Sequence, residues 1–122
     1  MSLVWAVAAS GAVGAPARYV VDVAITRRWA RRFPLGTFVV NTSGALLLGV
    51  ITGLVLYHGL SSTPKVVIGT GFCGAYTTFS TLWFEVVRLS EDGERRTAVS
   101  YLVLSTAAGL AAAATGLALA AL

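Results

Sequence analysis

Apolar residues in this chain run on without interruption, and the polar residues fall in short breaks between the runs. Four runs stand out, roughly Leu3 to Ile25, Leu35 to Tyr57, Val66 to Val87 and Ala98 to Leu122. Each approaches the ~20 residues that an α-helix needs to cross about 30 Å of hydrocarbon. The pattern predicts an all-α integral membrane protein, one domain over residues 1–122 with four transmembrane helices. The second and fourth runs carry no charged side chain. The first holds Arg18 and Asp22 and the third Glu85, so these two are lipid-exposed only in part or keep their charges near an interface. Trp5, Trp29, Tyr57 and Trp83 sit near predicted helix ends, where amphipathic rings favour the headgroup layer.

The third run breaks the pattern of an ordinary span. Residues Gly69 to Thr81 hold three glycines and five Thr and Ser side chains at mid-membrane depth. Glycine lowers the cost of unwinding, and neighbouring hydroxyls satisfy freed backbone groups. The expectation is a third helix interrupted near the midplane; the competing reading is a glycine-rich packing face on an intact helix. Elsewhere Ala45, Gly49 and Gly53, and Ala112, Gly116 and Ala120, recur at four-residue spacing and predict close helix contacts. Thr37 and Asn41 share one helical face, as do Tyr101 and Ser105. Two readings of these faces stand: a track of uncharged donors suited to a small anion, or hydrogen bonds between helices.

Composition removes several classes. The chain is 57% hydrophobic and 11% charged, against roughly 25% charged in a soluble domain. The net charge of +4 comes without a basic stripe interleaved with aromatics, so lipid headgroups are expected as partners and nucleic acid is not. Cys73 and His58 are each single. No disulfide, side-chain metal site or nucleophile–base pair can be built from them, and no enzyme is expected. The first run lacks the basic start of a secretory signal, since no Lys or Arg precedes Arg18, and is expected to stay as a span.

Two strings then point to a family. Gly36-Thr37-Phe38-Val39-Val40-Asn41-Thr42-Ser43-Gly44 resembles the second-helix stretch of the Fluc/CrcB fluoride channels, and Gly71-Phe72-Cys73-Gly74-Ala75-Tyr76-Thr77-Thr78-Phe79-Ser80-Thr81 resembles their third-helix signature. Gly11 to Arg18 is similar to the family's first helix, and Tyr101 with Ser105 fits the fourth. The resemblance implies a passive, selective fluoride channel built as an antiparallel dimer with two pores. It implies a fluoride pathway along Thr37, Asn41, Phe79, Ser80, Tyr101 and Ser105, with Arg18 in a vestibule; for Arg18 the alternative is a pair with Asp22. It also implies a structural sodium ion, not transported, held by the backbone carbonyls of Gly74 and Thr77. One departure stands out: Leu82 occupies the position of the family's usual second Phe. Trp83 points about 100° away from it on a helix and is not an obvious replacement. Alternatives are a small four-helix drug or cation exporter using Asp22, or one non-conducting subunit of a paired channel.

Charge counting gives an orientation independently. Both termini and the loop from His58 to Lys65 share one side with Lys65 alone, whereas the other two loops carry Arg27, Arg28, Arg31, Arg32, Arg88, Arg95 and Arg96. Basic short loops stay cytoplasmic. Both termini are therefore expected outside a bacterial plasma membrane. An antiparallel dimer then needs either an oppositely oriented paralogue or a minority of inverted copies of this chain.

Overall fold

A computed structural model describes residues 2–122, and among these every regular element is helical. Helix α1 is Leu3–Arg28 and α2 is Leu35–His58. The third rod comes in two parts. Its first half, α3, covers 62–76 and its second, α4, is Ser80–Glu91. Helix α5, Arg95–Ala120, completes the bundle. Helices α1, α2 and α5 are each long and apolar enough to cross a membrane. Gly59, at φ 67°, ends α2 in the left-handed conformation and donates its N–H to the Leu54 carbonyl.

The third rod is interrupted, and in two ways. Val66–Cys73 winds as a π-helix between the single turns Ser62–Lys65 and Gly74–Tyr76. Thr77 then swings to φ −81°, ψ 161°, an extended conformation that stops the helix until Ser80. The glycines therefore widen the helix, and the threonines after them break it. π-turns are rare and cluster at functional sites.

Large apolar side chains face outward: Trp5, Val13, Tyr19, Leu56, Phe84 and Leu110 are all exposed. Such a surface is expected of a chain whose solvent is lipid, and the protein is a multi-pass membrane protein. Its inner contacts depend on small residues instead. A Cβ on Gly49 would overlap the Ala113 carbonyl, and one on Gly116 the Leu46 carbonyl, so α2 and α5 touch backbone to backbone. The four-residue spacings through Gly49, Gly53 and Gly116 are this contact. At the Arg-rich end a small core forms from Leu82, Leu89, Ala98 and Tyr101, with Phe33 edge-on to Tyr101 at 5.3 Å between centroids.

Candidate functional site

Register places the polar side chains. Gly49 abuts Ala113 and Gly53 abuts Leu117, so α2 and α5 run parallel. Carried two turns back along both helices, that pairing brings Asn41 level with Ser105; a third turn brings Thr37 level with Tyr101. The two polar faces meet. Thr37 and Tyr101 are buried and converge on one carboxyl: Thr37 Oγ1 donates to Glu85 Oε1 at 3.0 Å and Tyr101 Oη to Glu85 Oε2 at 2.6 Å. Ser105 is buried too, and its hydroxyl has no hydrogen-bond partner among the described residues.

Asn41 does something else with its amide. Nδ2 donates to the Thr78 carbonyl at 2.9 Å, and Oδ1 accepts the Thr78 N–H at 2.8 Å. One side chain thus satisfies both backbone groups of a residue that the break has removed from helical pairing. The sequence offered two roles for this face, and at Asn41 the bond between helices is present. Its second N–H remains free for another acceptor.

Around the break other groups fall into place. Arg18 Nη1 donates to the Thr77 carbonyl at 3.3 Å, so Arg18 turns towards the break. The pairing of Arg18 with Asp22 is absent: among the described residues the one ion pair is Arg32–Glu94 at 3.3 Å. Asp22 instead accepts from Thr26 Oγ1 and lies against Gly36 at the start of α2, where the helix dipole favours an acid. The Thr78 N–H, which would have bonded the Gly74 carbonyl in a continuous helix, is taken by Asn41. Gly74, Thr77, Thr78, Asn41 and Phe79 line one open cleft of about 370 Å³. Ser80 is exposed, and its hydroxyl lies 3.4 Å from that of Thr78.

Glu85 is the residue the sequence reading passed over. It is an acid in a span read as lipid-exposed only in part or as keeping its charge near an interface, and such an acid is a default pointer to function. It stands between the hydroxyl pair and a cavity of about 590 Å³ that Arg31, Arg32, Arg88, Asp22 and Asp92 also line. Leu82, where a second aromatic ring was missed, is buried in the subunit's own core. Trp83 was set aside as a replacement on helical angle, but its ring meets Phe79 edge-to-face at 6.1 Å and 73°. It is one turn after Phe79, so the two share a face.

The sequence pattern of the CrcB-like proteins (camphor resistance, CrcB) matches residues 5–117. The chain belongs to the CrcB-like family. Relatives in this family include a protein of Mycolicibacterium paratuberculosis named fluoride-specific ion channel FluC 2, 50% identical over 93% of this chain and 90% of its own length. A Mycobacterium tuberculosis protein of the same name is 46% identical over 87% of this chain and 81% of its own length. The fluoride-specific ion channel FluC of Acidobacterium capsulatum is 46% identical over 92% of this chain and 90% of its own length.

Proposed function

We propose that this chain forms a fluoride-selective channel through which fluoride leaves the cytoplasm passively, with no catalytic step. The observation that carries the reading is the column of uncharged donors, Thr37 and Tyr101 above Asn41 and Ser105, running beside an interrupted helix to Phe79. Fluoride is small and holds its water strongly, so a selective path must replace that water with closely set donors, and hydroxyls and an amide supply them without a fixed positive charge that would trap the ion. The free Ser105 hydroxyl and the second Asn41 N–H suit this role. Glu85 keeps the Thr37 and Tyr101 hydroxyls aimed at one point, acting as their acceptor when no ion is there. Phe79 offers the positive edge of its ring. Purified protein in liposomes, alone or with a paralogue, is expected to release fluoride and retain chloride; equal release of both would overturn the reading.

A structural sodium ion fits the break. The Gly74 carbonyl, deprived of its helical donor, and the Thr77 carbonyl are uncharged oxygens of the kind that unwound membrane helices present to sodium. Two carbonyls are too few, so the same pair from an inverted second subunit would complete the set. Arg18 uses one of the two lone pairs on Thr77 and leaves the other. Replacing sodium with a large organic cation should inactivate flux slowly, and full flux after long incubation would count against the site.

The Arg-rich end faces the cytoplasm in this reading, with both termini outside. The one-sided Lys and Arg bias favours a paired channel in which a paralogue of opposite charge bias supplies the inverted subunit and the ring missing at Leu82. Reporter fusions at the C-terminus should give external signals alone; mixed signals from this chain expressed by itself, with robust flux, would favour the homodimer.

A further inference from the structure

Helix α4 continues to Glu91, so Trp83 lies eight residues, about 12 Å, inside the helix end and a single turn from the break. Where it meets lipid, an indole N–H needs an acceptor, because lipid tails provide none. The subunit supplies none either. Among the described residues Trp29 Nε1 bonds the Phe33 carbonyl, while the Trp83 indole N–H has no partner and its ring contacts Phe79. The acceptor must come from outside the chain.

The surroundings say what kind it is. Phe79 and Trp83 are both exposed, about 90° around α4 from the buried Leu82 and Leu89. A phenyl edge and an indole N–H both present positive potential, and with the Ser80 hydroxyl beside them they leave this turn of α4 rich in donors. Phe79 also lines the cleft that Asn41 and Thr78 line. We infer that Trp83 and Phe79 form an anion-binding aromatic site in which the Trp83 indole N–H donates directly to the halide. The site extends the donor column by one station and makes Trp83 a specificity-determining residue. It rests on the fluoride-channel reading.

The test separates the two. Wild-type flux of fluoride over chloride is measured first, and its absence would overturn the channel reading itself. Indole ¹⁵N-labelled protein in lipid nanodiscs then gives three N–H resonances, one for each Trp, with Trp83 identified by its loss in Trp83→Phe. Titration with sodium fluoride at constant ionic strength should shift the Trp83 resonance saturably, sodium chloride should not, and Trp5 and Trp29 should stay still. Trp83→Phe keeps a ring and removes the donor; it should lower fluoride flux about ten-fold or more, the worth of a hydrogen bond to an ion, while cross-linked dimer yield is unchanged. A Trp83 resonance indifferent to fluoride would overturn the inference. So would flux within two-fold of wild type in Trp83→Phe, or a loss confined to dimer assembly, which would assign the N–H to an acceptor on the second subunit.

Discussion

Asn41→Ala should silence fluoride flux and destabilise the subunit at once. The Asn41 amide meets both the N–H and the carbonyl of Thr78, at 2.8 and 2.9 Å, and alanine leaves both without a partner. Each unsatisfied group away from water costs about 1–3 kcal/mol, so a loss of roughly 2–6 kcal/mol is expected for the two. The break would then close into helix or move, and Phe79 and Thr77 would lose their positions with it. Fluoride efflux should fall by about two orders of magnitude or more, on the same energy scale. Asn41→Asp retains the acceptor for the Thr78 N–H, so it should recover part of the thermal stability. It should recover none of the flux, because its donor is gone. Asn41→Ala with near wild-type efflux would mean that neither the clamp nor the pathway runs through this residue.

Gly116→Leu should yield no folded protein, whereas Gly109→Leu on the same helix should be tolerated. At Gly116 a Cβ would overlap the Leu46 carbonyl and come within 2.7 Å of the Val50 nitrogen, both backbone atoms that cannot rotate away. The helices would have to part, which costs the packing along the whole α2–α5 seam and exceeds the usual 1–3 kcal/mol of overpacking. A Cβ at Gly109 meets nothing within 4 Å. Size-exclusion profiles and thermal melts of the two variants check the contrast; a monodisperse, wild-type-like Gly116→Leu would show that the seam yields more than this geometry allows.

Much of this was readable before any coordinates. The apolar runs announce four helices because the length of a span is set by the bilayer, a constraint that acts on each segment alone. The density of Gly, Thr and Ser after Gly69 announced the interruption for the same local reason. What lay beyond reach were partners. Asn41 reads as a polar residue in a span, and nothing in the string says that it grips the backbone of Thr78. Arg18 had two candidate roles along the chain and took a contact with the Thr77 carbonyl, across 59 residues. The small-residue spacings on α2 and α5 predict close contact without naming which helix meets which. Once that pairing is known, the level of Thr37 with Tyr101 and of Asn41 with Ser105 follows. Glu85 reads as an acid in a span that is lipid-exposed only in part or near an interface, and nothing in the string names Thr37 and Tyr101 as its partners.

The glycine seam has a mechanical consequence. Contact along α2 and α5 runs from Leu46 and Gly49 to Gly53 and Ala120, and beyond it His58 Nε2 meets the Ala120 carbonyl at 2.6 Å. At the opposite end Phe33 and Tyr101 pack edge-on. Pinned at both ends and without side-chain cushioning between, these two helices behave as one stiff spar carrying Thr37, Asn41, Tyr101 and Ser105 at fixed spacing. The break and α4 are tied to this spar by the Asn41–Thr78 bonds and by Glu85 on Thr37 and Tyr101, so the spar also sets where the Phe79 and Trp83 rings stand against the row of donors.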